Sequence, residues 1–474
     1  MTQLPQGWTR VCLADITEIN PKLPFENIPD VLEVTFLPMK HVEERSNKIS
    51  LVETRKYGDV KKGFVPMTDG DVIFAKISPC MENGKVAIVH SLRNHIAFGS
   101  TEFHVFRMKG MVIGKFVFHY LNREDFRRNA QGMMTGAVGQ RRVPRKFLEE
   151  SSIPLPPLAE QERIVARIEE LFSSLDKGIE SLKTAQAQLK TYRQAVLKWA
   201  FEGRFTNADV PGGELPAGWK WVSPSMLAAK AKYAICIGPF GSNLKVIDYQ
   251  DHGVPLVFVK NITNNDFLKD LKFISPSKAV ELKSHSVYPL DILIAKMGDP
   301  PGECCIYPDF APVGIITADC IKFTVDTDIA NRKYVLYSLQ SPNGKNEISK
   351  ITQGVAQKKM STERFRSIQL PLPPTLDEQA RVVAEIEARL SVCDQVEAGI
   401  TRSLEQAEAL RQSILKRAFE GKLVPQDPTD EPASALLARI REAADSSAAA
   451  GRAGNDASKA SSGRKRAKVK RDGK

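Results

Sequence analysis

The chain has 474 residues and a mass of 52.6 kDa, and its 67 Lys and Arg against 56 Asp and Glu give a net charge of +11. Its 42% hydrophobic residues suffice for packed cores, which excludes a wholly disordered protein, and the length predicts about two to four domains. No run of about 18 apolar residues occurs, and the opening residues lack the apolar segment of a signal peptide. We therefore expect a cytoplasmic protein with an anionic partner and no membrane contact.

Cysteine and histidine usage gives no indication of a metal site. The seven Cys include no CxxC pair, and the seven His include no HExxH motif. An odd, small number of Cys also argues against a disulfide framework. We predict reduced, mostly buried thiols and no bound metal.

Six segments of the sequence recur in the same order, at offsets of 211 to 220 residues. Chance similarity would have to produce all six matches collinearly, so we interpret the pattern as an internal repeat. The matching pairs are Leu4–Trp8 with Leu215–Trp219, Phe36–Val42 with Leu256–Ile262, Gly70–Lys76 with Leu290–Lys296, Lys115–Leu121 with Lys333–Leu339, Ile153–Val165 with Leu370–Val383, and Val196–Phe205 with Ile414–Leu423.

Each copy begins with a region of short β-type runs broken by Gly, Pro, Asn and Asp. This pattern predicts a mixed α/β domain with a prominent sheet, over residues 1–157 in the first copy and 207–374 in the second. A helical region follows each domain, at 158–206 and at 375–425. Residues 426–474 are predicted to form a flexible basic tail.

The helical regions carry apolar or small residues at alternating spacings of three and four. Because the first copy sustains this pattern over about five heptads, it favours a coiled coil over a simple surface helix. We predict helices over 159–202 and 376–420, with a capping box from Thr375 to Glu378 and left-handed caps at Gly203 and Gly421. The predicted seam and subunit-docking residues are Ile164, Ile168, Leu171, Leu175, Leu182, Leu189 and Trp199 in the first helix, and Ile386, Ile400, Leu410 and Ile414 in the patchier second helix.

The order domain, helix, domain, helix forces the two helices to run antiparallel if their seams bury each other. The alternative is that each helix packs only on its own domain, although globular helices rarely exceed about 25 residues. The sequence thus predicts an α+β fold: two similar mixed α/β domains separated by an antiparallel coiled coil about 65 Å long, with a pseudo-two-fold internal repeat. Such domains suit two half-sites on a DNA duplex, and since the copies differ in most residues, the half-sites should differ.

Two loops placed alike in the copies are the strongest candidates for DNA contacts. Residues 135–142 and 352–359 each contain Gly and end in an amide and two cations. Cations neutralise phosphates, and Gln or Arg bond to base edges. Alternatively, the loops are solvated and only fix the junction with the helix. The predicted DNA-binding residues are Gln140, Arg141, Arg142, Arg145, Lys146, Lys40 and Lys76 in the first copy, and Gln357, Lys358, Lys359, Lys260 and Lys296 in the second.

The motifs of nucleotide-dependent and methyl-transfer enzymes do not occur in this sequence. The segment GMVIGK at 110–115 has the wrong spacing for a phosphate-binding loop. The string Asp299-Pro300-Pro301 is followed by Gly302 rather than by the aromatic residue of an adenine methyltransferase motif, so we interpret it as a turn. We predict no catalytic and no cofactor-binding residues.

The Pro-rich LPLPP and LxEQxR helix start, the LKxAFEGxL helix exit, the GDxxxAK strand and the duplication together resemble one known family. It is the specificity subunit of type I restriction-modification enzymes, and the resemblance covers about residues 4–424. It implies that the globular regions are target recognition domains for double-stranded DNA. It also implies that the helices dock two methyltransferase subunits, which restriction/translocase subunits join. S-adenosylmethionine, ATP and Mg²⁺ would then be used by those partners and not by this chain.

Two other functions remain open from the sequence, and charge does not decide between them. A transcription regulator would need a helix-turn-helix pattern, which is not evident, and a self-sufficient methyltransferase or nuclease would need the missing motifs. The last eleven residues, RKRAKVKRDGK, hold seven cations and one Asp, so more than half of the +11 lies in the tail. The prediction of DNA binding therefore rests on the duplicated architecture and the resemblance.

Overall fold

The computed structural model describes residues 4–137, 139–207, 214–353, 358–443 and 445–446. The chain forms two compact units. Unit 1 comprises residues 1–180 and 404–474, and unit 2 comprises residues 181–403. Both unit boundaries fall inside long helices, so each helix contributes one part to each unit.

The globular part of unit 1 is a mixed α/β domain with two four-stranded sheets. One sheet has the order β2-β9-β6-β7, the other β4-β3-β8-β5, and β1 pairs with β10 in a separate ribbon. The strands are β1 Thr9–Cys12, β2 Thr17–Ile19, β3 Glu33–Leu37, β4 Glu53–Lys56, β5 Val65–Thr68, β6 Val72–Ala75, β7 Val86–Ile88, β8 Ile96–Gly99, β9 Phe103–Met108 and β10 Ser152–Leu155. The helices are α1 Leu13–Ile16, α2 Tyr57–Val60, α3 Gly114–Leu121, α4 Glu124–Gly132 and α5 Arg145–Glu150.

Strand β6 shows why this domain forms two layers of core. All four of its residues are apolar and buried, because the strand is covered on both faces. Ile73 and Ala75 pack with residues of the second sheet, such as Leu37. Val72 and Phe74 point to the other face and pack against α3.

The chain leaves this domain through a long helix, α6, over Leu158–Phe201. Unit 2 then repeats the domain of unit 1. Its strands are β11 Lys220–Val222, β12 Ile235–Ile237, β13 Val254–Val257, β14 Lys272–Ile274, β15 Ser286–Val287, β16 Ile292–Ala295, β17 Cys304–Ile306, β18 Gly314–Ile316, β19 Cys320–Phe323 and β20 Leu370–Leu372. Its helices are α7 Pro224–Leu227, α8 Val259–Asn264, α9 Pro276–Glu281, α10 Arg332–Gln340, α11 Pro342–Ile351 and α12 Thr362–Phe365, and α13 follows over Leu376–Phe419.

The strand order confirms the internal repeat. The sheets of unit 2 run β12-β19-β16-β17 and β14-β13-β18-β15, which is the order of unit 1 with every number raised by ten. Even the single parallel pairing recurs, as β3 with β8 and as β13 with β18. The two domains therefore share one topology although most of their residues differ.

The long helices pair antiparallel in both units, as predicted. The beginning of α6 packs with the end of α13 in the core of unit 1, and the end of α6 packs with the beginning of α13 in the core of unit 2. The predicted bounds differ from the observed ones by a single residue. At the exit of α6, the Gly203 amide donates to the Ala200 carbonyl and the Arg204 amide to the Trp199 carbonyl, which is a Schellman cap with Gly203 at φ +76°.

The helix exits meet the Leu-Pro-x-Gly-Trp segments in the same way in both units. A Cβ on Gly203 would lie 2.0 Å from Pro216, and one on Gly421 would lie 2.3 Å from Pro5. Only a glycine fits at each exit, because backbone and proline approach so closely. The proline of one repeated motif therefore packs on the glycine of the other.

The seam prediction holds for most of its positions. Ile164, Ile168, Ile386, Ile400 and Ile414 are buried, and Leu171, Leu175, Leu182 and Leu189 are half-buried.

Trp199 and Leu410, predicted as seam or subunit-docking positions, are 39% and 51% exposed, so they do not lie in the seam and are accessible to a partner. At these points the helix contact is made by Ala200, which is fully buried, and by Arg411.

The predicted flexible tail is wrong for its first part. A helix, α14, spans residues 433–443 and packs on the core of unit 1. Asp430, just before it, receives two hydrogen bonds from the Arg163 guanidinium. The pattern of positions i, i+3, i+4 and i+7 was present in the sequence, and the side chains it buries are Ala433, Leu436, Leu437 and Ile440. Residues 447–474, which include the basic cluster, lie outside the described residues.

Within the described part of the chain, no helix combines the length and the apolar character needed to cross a membrane.

Candidate nucleic-acid interface

The predicted DNA-contact loop of unit 1 is a short hairpin. Thr135 and Arg142 exchange backbone hydrogen bonds of 3.0 and 2.8 Å at its base. Near its tip, Gly136 adopts φ +120°, and a Cβ there would lie 2.9 Å from the Gln140 carbonyl. The Gln140 side chain is exposed, while Val138 lies outside the described residues.

This hairpin is built onto the segment that leaves β6. The Ser78 amide donates to the Arg141 carbonyl, and the Val143 amide donates to the Lys76 carbonyl. The Lys76 amide in turn donates to the carbonyl of Glu102, just before β9. The sheet therefore brings Lys76, the two arginines of the hairpin and one acidic residue to a common edge.

The two arginines of the hairpin have different surroundings. Arg142 forms two bonds to the Glu102 carboxylate, of 2.9 and 2.8 Å, and donates a third to the Gln140 carbonyl. The hydrogen bond from Arg142 holds the pKa of Glu102 below its usual range. Among the described residues, Arg141 has no ion-pair or side-chain hydrogen-bond partner.

The equivalent segment of unit 2 is closed by a similar backbone pairing that is one residue shorter, and it has a different ion pair. Gln353 and Lys359 exchange backbone hydrogen bonds, and the Met360 amide donates to the Lys296 carbonyl. Here the first cation, Lys358, forms an ion pair of 2.9 Å with Asp299. Residues 354–357 lie outside the described residues, and these include the predicted contact Gln357.

The remaining predicted cations divide into two groups. Arg145 and Lys146 on α5 form ion pairs one turn along their helix, with Glu149 and Glu150. Lys40, Lys260 and Lys296 lie on the segments that follow β3, β13 and β16. The Lys260 ammonium donates to the Asp270 carbonyl, and the Lys296 ammonium lies 3.4 Å from the Ala318 carbonyl.

Lys40 is brought close to the hairpin edge by the segment that follows β3. The Lys85 ammonium, at the end of the loop after β6, donates to the Met39 carbonyl, and the Arg45 amide donates to the Gly84 carbonyl. In unit 2, α8 carries Lys260 and packs on β16 and β17. Each unit thus collects three segments at one edge of its sheets, and the predicted contacts within the described residues, other than Lys146, lie on or beside them.

Sequence reasoning missed a set of contacts that explain the LxEQ motif. The Trp8 indole donates a hydrogen bond of 2.9 Å to Glu160, and the Trp219 indole donates one of the same length to Glu378. Thr375 supplies its half of the predicted capping box by accepting from the Glu378 amide. The Glu of the motif therefore joins each domain to the helix that follows it.

The Gln of the motif has an equally specific role. Gln161 accepts from the Ile113 amide at the start of α3, and Gln379 accepts from the Asn331 amide at the start of α10. Both glutamines are buried. The signal that could have revealed these contacts is the recurrence of Trp, Glu and Gln in both copies.

A third repeated contact is an ion pair between each domain and its helix. Lys115 lies 2.7 Å from Glu169, and Lys333 lies 2.6 Å from Glu387. Both pairs follow the same 218-residue offset. Each domain is thus held on the coiled coil by the same three contacts.

The Asp299-Pro300-Pro301 string forms part of the hairpin edge of unit 2. Its two prolines line a cavity of about 190 Å³ together with Lys345, Ser349, Thr352 and Lys358. No cluster of three or more potential metal ligands occurs within the described ranges. The arrangement offers cations and hydrogen-bonding groups for an anionic polymer.

Comparison with known proteins shows the family of the chain. The Type I restriction modification DNA specificity domain matches residues 5–190 and 250–406. The specificity subunit of the type I restriction enzyme EcoEI from Escherichia coli is 26% identical over 503 aligned residues, which cover 87% of this chain and 83% of that protein.

Two solved structures share the fold. A chain of a type I R-M system superposes with a TM-score of 0.71 at 22% identity, covering 89% of this chain and all of that one. The HsdS subunit from Thermoanaerobacter tengcongensis superposes with a TM-score of 0.55 at 23% identity, covering 89% and 98%.

Proposed function

Because the chain belongs to the type I restriction-modification DNA specificity family, we propose that it reads a bipartite, asymmetric DNA target, with one half-site for each domain. The chain is a non-catalytic specificity subunit in this family. Unit 1 reads one half-site through the edge that carries the 135–142 hairpin, and unit 2 reads the other through the equivalent edge.

This proposal rests on one observation: the two units share a scaffold but carry different side chains in their loops. The strand order is the same in both units, and in both the second cation of the hairpin, Arg142 or Lys359, pairs with the segment that leaves β6 or β16. The loop after β6 has Cys-Met-Glu-Asn at 80–83, whereas the loop after β16 has Pro-Pro-Gly at 300–302. Base edges are read by side chains, so equal frames with unequal side chains select unequal half-sites.

The coiled coil has the role of spacer and docking surface. Tyr192 and Leu410 occupy equivalent positions in α6 and α13, and they are 40% and 51% exposed. Two equivalent apolar positions suit two copies of one partner, which we assign as the methyltransferase subunits. Restriction/translocase subunits join that assembly. S-adenosylmethionine, ATP and Mg²⁺ serve these partners.

Domain exchange tests the proposal. Residues 13–150 would be replaced by the corresponding domain of another specificity subunit, which preserves Trp8, Glu160 and the helices. Adenine methylation would then be mapped by long-read sequencing in cells with each chain and its methyltransferase subunits. We expect one half of the target to change while the other half stays the same.

A matched exchange of residues 227–368 is the control, and it should change only the other half. A change in both halves after either exchange would contradict separate reading. Methyl transfer by the purified chain alone would contradict its non-catalytic role.

A further inference from the structure

The geometry of the two hairpins indicates that the two cations of each hairpin have different roles, which the sequence does not show. We propose that one cation of each pair contacts DNA while the other is held by an acidic residue and positions the hairpin. Arg141 and Lys359 contact DNA. Arg142 and Lys358 are held by an acidic residue. This inference rests on the proposed function, since it names the residues that act at the same edges.

The Arg142 side chain joins the hairpin of unit 1 to Glu102 through hydrogen bonds. Its Nε and Nη2 bond to the two oxygens of Glu102, and its Nη1 bonds to the Gln140 carbonyl at 3.0 Å. A bidentate pair of this kind restricts both partners to one geometry. The positive charge of Arg142 is also neutralised by Glu102, so Arg142 adds little attraction for a phosphate.

Arg141 is the neighbouring residue in the hairpin but has no such partner. Its backbone carbonyl accepts from the Ser78 amide, which fixes the position of its Cα beside Lys76. Within the described ranges, no acidic side chain pairs with Arg141 or Lys76. These two cations are therefore the ones available to a DNA backbone or to a guanine edge.

In unit 2 the two positions exchange roles. The residue equivalent to Glu102 is Asp319, whose carbonyl accepts from the Lys296 amide as the Glu102 carbonyl accepts from Lys76. Its side chain is one methylene shorter, and it forms no ion pair with Lys359 among the described residues. Asp299, on the loop after β16, holds Lys358 instead.

Four alanine variants test this pattern in the complex of the chain with its methyltransferase subunits. Binding to the mapped target would be measured over a range of salt concentrations. We expect Arg141→Ala and Lys359→Ala each to weaken binding about ten-fold and to reduce the salt slope by about 0.9, because each removes one phosphate contact. Arg142→Ala should leave the slope unchanged and lower the preference for the unit 1 half-site about ten-fold. Lys358→Ala should leave the slope nearly unchanged.

Removing the ion pair between Glu102 and Arg142 gives the sharpest test. Glu102→Gln has nearly the same shape but no charge, so Arg142 becomes available to a phosphate. We expect the salt slope to become steeper by about 0.9, with tighter binding to non-target DNA. A purely structural role for Glu102 predicts no such gain. Asp299→Asn should act in the same direction in unit 2, but less, since the Asp299 side chain is 83% exposed.

Glu431→Gln is the matched control, because Glu431 makes the same bidentate bonds to Arg439, at 2.6 and 2.7 Å, away from the hairpins in the C-terminal segment. It changes the net charge equally and should leave the slope as it is. Arg142→Lys keeps the charge without the bidentate geometry, so it should reproduce the loss of half-site preference if Arg142→Ala fails to fold.

Two results would overturn the inference: an equal loss of slope in Arg141→Ala and Arg142→Ala, or an unchanged slope in Glu102→Gln. If the wild-type complex showed no sequence preference at all, the proposed function itself would fail.

Discussion

The indole nitrogen of Trp8 donates a hydrogen bond to Oε2 of Glu160, at 2.9 Å. Glu160 is only 1% exposed, its other carboxylate oxygen has no partner among the described residues, and burial raises its pKa. In unit 2, Glu378 accepts from Trp219, from the Thr206 hydroxyl at 3.0 Å and from the Asn207 amide at 3.5 Å. Among the described residues, the carboxylate thus has three side-chain donors in unit 2 and one in unit 1.

Replacing either tryptophan by phenylalanine removes the indole donor with little change in shape. We expect Trp8→Phe to lower the free energy of unfolding by about 2 kcal/mol, because a buried carboxylate loses the one donor that it has among the described residues. Trp219→Phe should cost about 1 kcal/mol, since Thr206 and Asn207 remain as donors. Urea unfolding followed by circular dichroism would measure both variants. Equal losses would contradict the role assigned to Thr206.

The coiled coil contains a repeat-related pair of ionic contacts. Arg411 pairs with Asp176, and Arg193 pairs with Asp394 at 2.7 Å, with an offset of 218 residues between them. The Arg411 guanidinium also lies 4.4 Å from the ring centre of Phe172, and its side chain is 14% exposed.

Arg193 also pairs with Glu397, at 2.8 Å. We still expect Arg411→Met to cost about 1 to 2 kcal/mol of stability and Arg193→Met less than 1 kcal/mol, because Arg193 is more exposed and has no ring contact within the described ranges. Double-mutant cycles with Asp176→Asn and Asp394→Asn would separate the ionic part. A larger coupling energy at Arg193 would contradict this order.

The length of the coiled coil should set the spacing between half-sites. Deleting the equivalent heptads 181–187 and 399–405 shortens each helix by about 10 Å, which corresponds to about three base pairs of DNA. We expect the methylated target to keep its two half-sites with a spacer about three base pairs shorter. Deleting 181–187 alone is the control and should disrupt the pairing of the helices. An unchanged spacer in an active double deletion would refute the role of the helices as spacer.

The C-terminal segment should contribute to stability up to α14 but not beyond it. A chain ending at residue 425 loses three buried apolar side chains, Leu436, Leu437 and Ile440, worth about 2 kcal/mol each. We expect a clearly lower melting temperature for that chain and an unchanged one for a chain ending at residue 446. Differential scanning calorimetry would measure both. Equal melting temperatures for all three lengths would contradict the packing of α14.

Buried His119 should make stability depend on pH. Burial, together with the nearby Lys115 and Arg411, lowers its pKa from 6.5 to about 3. Between these values the unfolded chain binds a proton that the folded chain does not, so stability falls as the pH falls from about 6.5 towards 3. Between pH 8 and pH 5, we expect the wild type to lose about 2 kcal/mol more than His119→Phe. Parallel pH profiles of the two proteins would contradict a neutral, buried His119.

The repeat, the bounds of the long helices and the family were all predictable, because they depend on patterns extending over many residues. A coiled coil repeats every seven residues, and an internal repeat can be compared with itself. Trp199 and Leu410 fit the heptad pattern but are exposed, because Ala200 and Arg411 make the helix contacts at these points. The α14 helix was missed because its four buried apolar positions stand in a polar, Ala-rich region.

At the candidate interface, the contacts of single side chains could likewise not be predicted from the sequence. The sequence by itself determined that each copy carries an amide and two cations at the end of a Gly-containing loop. Only the tertiary structure decided that Glu102 reaches Arg142 and that Asp299 reaches Lys358, because these acidic residues come from distant strands and loops. Whether a cation is available to DNA depends on which acidic groups lie within about 4 Å of it. That distance is set by the packing of the sheets and not by neighbours in the chain.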